Sequence, residues 1–270
     1  MGGGPQSFGD ETMKDAFGDH VTVKVDGHVA IVTLDKPPNN HVSVDLMRDL
    51  ADAFDAIDGE TELRCSVLQA EGKNFCAGAD LVRSESAGGL GAVNPLYDQA
   101  VRLFSAKKPI VAAVQGAAVG AGLGLAVVAD FRIASPDARF AANFVKLGFH
   151  PGFGLTHTLP RLIGPTKAEL MFLTGRRVKA EDGLPWGLVD EVVPLDDLRA
   201  AALRLATEIA ENAPLALVAT RKTLRGDLAA AVRAQTDKEA AEQGWLRDTE
   251  DYKEGVRSVT ERRVGNFLGR

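Results

Sequence analysis

Cysteine is scarce in this chain of 270 residues, which contains only Cys65 and Cys76. Two cysteines are too few for the disulfide framework of a small secreted protein, so a reducing cytoplasm is the expected compartment. Positive charge is also in short supply, since 31 Lys and Arg residues stand against 37 Asp and Glu residues. This excess of acid argues against a nucleic-acid partner, which would favour a basic face. No cysteine and histidine residues have the spacing of zinc ligands, so no metal site is expected.

One long run without charge occurs at residues 110–129. It is long enough to cross a bilayer, but it contains four glycines and Gln115, which suit a membrane helix poorly. We therefore interpret it as a buried strand, a glycine turn and a buried helix, and expect no membrane span. Residues 1–19 are glycine-rich and polar, without the apolar stretch of a secretory signal, and are predicted to form a disordered tail.

The rest of the chain alternates between strand and helix patterns. Two apolar segments at 21–25 and 29–34, separated by Asp26-Gly27, predict a β-hairpin. Pro37-Pro38-Asn39-Asn40 predicts a loop, and Ser43 is a candidate N-cap for a helix with apolar residues at helical spacing. Further short strands are predicted at 65–68, 110–114 and 131–134.

From residue 214 onward the pattern is helical and charged. Strands alternating with helices, followed by helices alone, predict a chain of the α/β class. We expect a core over 20–205 and a helical C-terminal region over 206–270.

Two glycine-containing loops, each after an apolar strand, are the strongest candidates for a ligand site. The first is Phe75-Cys-Ala-Gly-Ala-Asp80, and the second runs from Val114 to Gly124. Small residues let a ligand approach the backbone, and the N–H groups at a helix start have no partner within the helix. Two such donors converging from two loops would polarise a thioester carbonyl. The alternative interpretation is that the small residues only allow close packing.

Several nucleotide-binding and hydrolase motifs are missing. The glycines at 120, 122 and 124 do not form G-x-G-x-x-G, and Asp130 follows them too soon to hold a ribose. The chain also has no G-x-x-x-x-G-K-[ST], no G-x-S-x-G and no H-E-x-x-H. These absences argue against a dinucleotide site, a P-loop, a nucleophile elbow and a zinc-protease helix.

A series of short motifs follows along the chain. They are Phe75-Cys-Ala-Gly-Ala-Asp-Leu81, Pro109-Ile-Val-Ala-Ala-Val-Gln-Gly116, Gly120-Ala-Gly122, Ala129-Asp-Phe-Arg-Ile-Ala134, Leu159-Pro-Arg-Leu-Ile-Gly164, Leu173-Thr-Gly175, Gly187-Leu-Val189 and Glu254-Gly255. In this order they resemble the enoyl-CoA hydratase/isomerase (crotonase) family. The resemblance implies a crotonase-like spiral of ββα turns and a C-terminal helical region that joins chains into a trimer or a dimer of trimers.

The same resemblance implies an acyl-CoA substrate, with coenzyme A as part of that substrate and no separate cofactor. In the family, one backbone N–H from each glycine loop forms an oxyanion hole, and the matching donors here are those of Ala79 and Ala121. The substrate-binding positions that carry over are Ala77, Gly78, Asp80, Leu81, Gly120, Gly122, Gly124 and Phe144.

The chain departs from the family at the two glutamates that activate water and move protons in a hydratase. Gly124 and Phe144 occupy these positions, and no glutamate occurs between Ser86 and Lys167. Neither residue can transfer a proton, so standard hydration and double-bond migration are both unexpected. Phe144→Glu, alone or with Gly124→Glu, is expected to raise hydratase activity.

His150 and His157 are the candidate replacements, because imidazole titrates near neutrality. Each has an alternative interpretation as a capping or surface histidine. Cys76 is interpreted as buried and inert, and His41 as a ligand contact or an exposed side chain. Three functions remain open: an acyl-CoA enzyme, such as a thioester hydrolase or decarboxylase, a CoA-ester-binding protein with little catalysis, and a structural partner in a larger assembly.

Overall fold

The computed structural model of the protein describes residues 14–79 and 95–270. Its strands are β1 (Ala16–Phe17), β2 (Val21–Asp26), β3 (Val29–Leu34), β4 (Cys65–Ala70), β5 (Ile110–Val114), β6 (Ala117–Val119), β7 (Phe131–Ala134), β8 (Arg139–Ala141), β9 (Arg177–Lys179) and β10 (Glu191–Val192). Within these residues the main sheet has the order β1-β2-β3-β4-β5-β7-β10, and a smaller sheet has the order β6-β8-β9. The mixed α/β class predicted from the sequence is confirmed.

The helices of the described residues surround the main sheet and continue beyond it. They are α1 (Val44–Gly59), α2 (Pro95–Phe104), α3 (Ala121–Val128), α4 (Leu155–Ile163), α5 (Pro165–Thr174), α6 (Ala180–Gly183), α7 (Leu198–Ala210), α8 (Pro214–Arg225), α9 (Leu228–Leu246) and α10 (Glu250–Thr260). Ser43 caps α1 as predicted, because its side-chain oxygen accepts a hydrogen bond from the N–H of Leu46.

Both faces of the central strands β3, β4 and β5 are buried. β3, β4, β5, β7 and β10 run parallel, whereas β2 and β3 form the predicted antiparallel hairpin. Successive strand residues point to opposite faces, so Val67 and Val111 meet Ala202 of α7 while Leu68 joins the cluster that contains Leu50 of α1. A strand that is buried on both faces has a continuous apolar sequence, which explains the composition of β5.

The uncharged run 110–129 is divided between β5, β6 and α3, in agreement with the buried strand, turn and helix expected from the sequence. The short strand β6 lies inside the segment that the glycines marked only as a turn. Among the described residues, none of the helices combines the length and hydropathy that a membrane span requires.

Two elements of the described chain do not follow the predicted boundaries at residues 19 and 205. Ala16–Phe17, inside the predicted tail over 1–19, form β1 and pair with the outer edge of β2. Residue 205, predicted as the end of the core, falls inside α7, which packs along the sheet as one unit. Residues 1–13 lie outside the described part of the chain.

Candidate active site

Three loops meet near the carboxyl ends of β3, β4 and β5. Neighbouring parallel strands end at the same edge of a sheet, so the loops that follow them are adjacent. Isolated β-bridges join Val42 to Ala79 and Cys76 to Ala118. The loop after β4 therefore lies between the loops after β3 and β5 and contacts both. We call them the first loop (35–43), the second loop (71–79) and the third loop (115–121).

Hydrogen bonds of two asparagine side chains join these loops. Asn40 of the first loop is 2% exposed, and its Nδ2 donates to the carbonyls of Glu71 at 2.9 Å and Asn74 at 2.8 Å. Asn74 of the second loop donates to Asn39 Oδ1 at 2.9 Å and accepts from the N–H of Ala117 at 3.0 Å. The sequence predicted only a loop at Asn39-Asn40, because one sequence alone does not distinguish a buried asparagine from a solvated one.

Replacing Asn40 is expected to destabilise the whole site. Asn40→Gly removes the hydrogen bonds to Glu71, Asn74 and Lys36, which should lower the free energy of unfolding by about 2–3 kcal/mol because buried carbonyls lose their donors. Asn40→Ala should cost about 1 kcal/mol more, since residue 40 has a φ of 53°. Thermal unfolding measures both variants. A drop of less than about 3 °C in Tm for Asn40→Gly would contradict this account.

The peptide unit between Gly78 and Ala79 is turned over relative to a regular strand. Ala77 donates its N–H to the carbonyl of Asn39 on the first loop at 3.1 Å. In a regular strand the next carbonyl would point to the opposite side. Gly78 has a φ of 89°, however, and its carbonyl also faces the first loop, where it accepts from the N–H of Val42 at 3.0 Å. Because the peptide bond is trans, the N–H of Ala79 points away from the first loop, to the side of the third loop.

Ala121 of the third loop has the second candidate N–H. It is the first residue of α3, and the N–H groups of a first helical turn have no acceptor within their own helix. A Cβ added to Gly78 would lie 3.8 Å from the Ala121 nitrogen and 2.7 Å from the Val119 carbonyl oxygen. The second and third loops are thus in direct contact, and only glycine fits at position 78.

The predicted ligand-binding glycines of the third loop also have packing roles. Gly120 has a φ of 57°, which favours glycine. A Cβ on Gly122 would lie 2.0 Å from the carbonyl oxygen of Cys76, so α3 approaches the second loop closely only because Gly122 has no side chain. The packing interpretation therefore holds for this glycine run, and its ligand-binding role stays a prediction. Asp80 and Leu81 lie outside the described residues.

An aromatic ring lies at or beside each of the two positions, 144 and 124, where the family resemblance predicts glutamates. Phe144 is 8% exposed, and its Cζ lies 3.8 Å from a Cβ placed on Gly120. A Cβ on Gly124 would lie 2.5 Å from Cδ1 of the fully buried Phe153. The expectation that the double variant Phe144→Glu with Gly124→Glu would raise hydratase activity is therefore corrected, because the ring of Phe153 leaves no room for a side chain at residue 124. The expectation for Phe144→Glu without a second change stays a prediction.

The two candidate histidines lie on either side of the start of α4. His150 is half-buried, and its Nδ1 donates to the carbonyl of Pro151 at 2.7 Å. His157 is half-buried on α4. Neither histidine is among the nearest neighbours of a Cβ placed on Gly120 or Gly124. Their proposed acid–base roles stay predictions.

Cys76 is fully buried between the loops. Burial raises the pKa of its thiol to about 11, so the thiol is protonated and a poor nucleophile near neutral pH. The interpretation of Cys76 as a buried, inert residue fits this environment. Within residues 14–79 and 95–270, no group of three or more His, Cys, Asp or Glu side chains could hold a metal ion.

Asp130 and Arg132 are structural residues. Asp130 accepts hydrogen bonds from the N–H of Ile110 at 2.8 Å and from the guanidinium groups of Arg221 and Arg225. Arg132 is 1% exposed and donates to the carbonyl of Leu188 at 2.8 Å. The contacts of Asp130 join α8 to the core. Arg132 is unavailable to a ligand phosphate because its side chain is buried and hydrogen-bonded within the protein.

Sequence reasoning missed one buried acid, Glu239 of α9. Its carboxylate is fully buried and accepts from the N–H groups of Gly154 at 2.7 Å and Thr156 at 3.0 Å, and from the Thr156 hydroxyl at 2.5 Å. These donors form the N-terminus of α4, so a side chain distant in sequence caps that helix. Burial raises the pKa of Glu239 from 4.5 to about 7, and the hydrogen bonds from Thr156 and Gly154 oppose that rise.

Glu239 should therefore make the protein less stable as the pH rises. Between pH 4.5 and about 7 the folded state binds a proton that the unfolded state has lost, so the free energy of unfolding falls across this range. A pKa difference of this size corresponds to about 3 kcal/mol. Urea unfolding of Glu239→Gln at several pH values should show a flatter profile than the wild type, whereas Glu242→Gln, at an exposed position of α9, should not. Parallel profiles for wild type and Glu239→Gln would contradict the assignment.

Comparison with known proteins was consistent with the motifs. A profile described as Enoyl-CoA hydratase/isomerase matches residues 24–270. A probable enoyl-CoA hydratase, EchA14, of Mycobacterium tuberculosis is 40% identical over 215 residues, covering 77% of this chain and 82% of the relative. The (E)-benzylidenesuccinyl-CoA hydratase of Thauera aromatica is 37% identical over 253 residues, covering 92% and 99%. The crystal structure of an enoyl-CoA hydratase/isomerase from Pseudoalteromonas atlantica superposes with a TM-score of 0.83 at 28% identity, covering 93% and 100%.

Proposed function

Because this chain belongs to the enoyl-CoA hydratase/isomerase family and has its crotonase-like fold, we propose that it binds an acyl-CoA thioester with the carbonyl oxygen between the N–H groups of Ala79 and Ala121. The observation that carries the proposal is the reversed Gly78–Ala79 peptide. Its carbonyl accepts from Val42, which directs the Ala79 N–H towards the loop that begins α3.

Two fixed N–H donors stabilise negative charge that develops on a thioester oxygen. In an enolate or a tetrahedral intermediate this oxygen becomes an anion, and donors already in place need no reorganisation when the charge forms. The positive end of the α3 dipole adds to the effect at Ala121. The site thus favours reactions that pass through an oxyanion, including decarboxylation and thioester hydrolysis, which depend less on paired glutamates than hydration does.

The neighbouring acyl site is proposed to accept an apolar group. Phe144 and Phe153 are the side chains nearest to Gly120 and Gly124, respectively, together with Asn143. The similarity to a benzylidenesuccinyl-CoA hydratase supports an acyl site that tolerates an aromatic ring. The same apolar surroundings favour a second candidate function, namely binding of a CoA ester without efficient turnover, because no carboxylate is among these nearest atoms.

A substrate panel tests both candidates. Purified protein is incubated with crotonyl-CoA, cinnamoyl-CoA, a malonyl-type CoA and a saturated acyl-CoA, and the products are identified by mass spectrometry. Decarboxylation or thioester hydrolysis, with little hydration, is the expected result. Acyl-CoA binding by calorimetry without any product would favour the second candidate. Absence of both binding and turnover would contradict the proposed function.

We also propose that the chain assembles as a trimer or a dimer of trimers, as in the family it belongs to. Three leucines are largely exposed to solvent in the isolated chain: Leu173 of α5 at 75%, and Leu215 and Leu224 of α8 at 85% and 71%. Exposed apolar side chains of this size suit contacts between copies. Light scattering at micromolar concentration should give a multiple of three chains, and a monomer would contradict the assembly.

A further inference from the structure

The first loop bears a histidine whose side chain contacts the peptide unit at the centre of the proposed site. His41 is half-buried, and its Nδ1 lies 3.1 Å from the carbonyl oxygen of Gly78. A carbonyl oxygen only accepts hydrogen bonds, so Nδ1 carries the proton in this contact. The same oxygen accepts the N–H of Val42 at 3.0 Å.

We infer that His41 is a positioning residue of the oxyanion hole, acting through the Gly78–Ala79 peptide. This inference rests on the proposed function. The Gly78 carbonyl and the Ala79 N–H belong to one planar unit and point in opposite directions. Two donors on the carbonyl therefore fix the direction of the N–H at its other side.

His41 should also strengthen the N–H as a donor. Hydrogen bonds in series polarise one another, and each added bond strengthens its neighbours by about 10–30%. A donor on the Gly78 carbonyl draws electron density towards that oxygen and leaves the Ala79 N–H more positive. The effect appears where charge builds up on the thioester oxygen, so it is expected in turnover more than in ground-state affinity.

A second observation favours this role over a simple structural contact. The first and second loops are already joined without His41. The Asn40 side chain donates across them, and two backbone hydrogen bonds run from Ala77 to Asn39 and from Val42 to Gly78. The histidine adds its donor to the carbonyl of the Gly78–Ala79 peptide, whose N–H points to the side of the third loop. Folding of the loops therefore has other sources, whereas His41 adds a second donor to the one that Val42 already supplies and so increases the polarisation of this peptide.

The test uses 4-(dimethylamino)cinnamoyl-CoA, a chromophoric thioester whose absorption moves to longer wavelength as its carbonyl oxygen is polarised. Spectra are recorded for wild type, His41→Leu and His41→Asn with protein in excess. All of the thioester is then bound, so differences in affinity do not affect the spectra. Leucine fills similar space without a donor, whereas the Asn Nδ2 can occupy the position of the His Nδ1. His41→Ala is a second variant without a donor, in case His41→Leu does not fold.

His41→Leu should show a red shift smaller by about 10–30% than the wild type, and His41→Asn should restore it. Turnover of the substrate found in the panel should fall about fivefold in His41→Leu with unchanged KM. Equal shifts in wild type and His41→Leu, or equal losses in His41→Leu and His41→Asn, would overturn the inference and leave the oxyanion hole in place. No red shift in the wild type would contradict the oxyanion hole itself.

Discussion

Ala121→Pro is expected to lower thioester turnover by about 100- to 1,000-fold, the usual cost of one oxyanion donor. Proline has no N–H, and at the first position of a helix this N–H has no intrahelical acceptor, so α3 should form normally. The preceding Gly120 has a ψ of −119°, outside the helical region in which a following proline would clash. The variant therefore removes one donor without breaking the helix.

Ala121→Gly is the matched control, because it keeps the N–H and changes only the side chain. It should retain turnover close to that of the wild type in the same steady-state assay. Thermal unfolding of both variants checks that α3 remains folded. If Ala121→Pro retained turnover within about tenfold of the wild type, the N–H of residue 121 would not be an oxyanion donor.

The second large effect is a gain of function. Phe144→Glu combined with Gly124→Glu and Phe153→Gly should raise hydration of crotonyl-CoA by at least about 100-fold, the lower range of general acid–base catalysis. Phe153→Gly is required because the aromatic ring lies 2.5 Å from the Cβ position of residue 124. Glycine also suits residue 153, which has a φ of 66°.

The control for this variant replaces both glutamates by glutamines in the same Phe153→Gly background. Glutamine matches glutamate in size but cannot transfer a proton. Hydration is followed by loss of the enoyl thioester absorbance. A gain that is equal in the glutamate and glutamine versions would show that space, and not proton transfer, limits the wild type.

Much of the fold follows from local pattern. The hairpin at Asp26-Gly27, the Ser43 cap and the strand at 110–114 depend on turn chemistry, capping and apolar periodicity, which neighbouring residues specify. The segments that the pattern described poorly are short or depend on distant partners. β1 and β6 are two and three residues long, and each is a strand only because another strand lies beside it.

The candidate site shows the same division. The glycines at 78, 120 and 122 mark the two loops in the sequence, which also shows glycine at 124 and phenylalanine at 144, where the family resemblance predicts glutamates. The buried Asn40, the Phe153 ring beside Gly124 and the Glu239 cap of α4 could not be predicted. Each depends on a contact between segments distant in the chain, and the sequence pattern around it resembles that of an ordinary loop or solvated helix.

The sequence by itself indicated an α/β chain that resembles the enoyl-CoA hydratase/isomerase family and has two glycine loops, with Gly124 and Phe144 where the resemblance predicts glutamates, because residue type and short-range pattern are local properties. Only the tertiary structure decided the direction of the Gly78–Ala79 peptide and which side chains surround it. Direction depends on where Val42 and His41 lie in space, and hydrogen bonds across loops are formed only when the chain is folded.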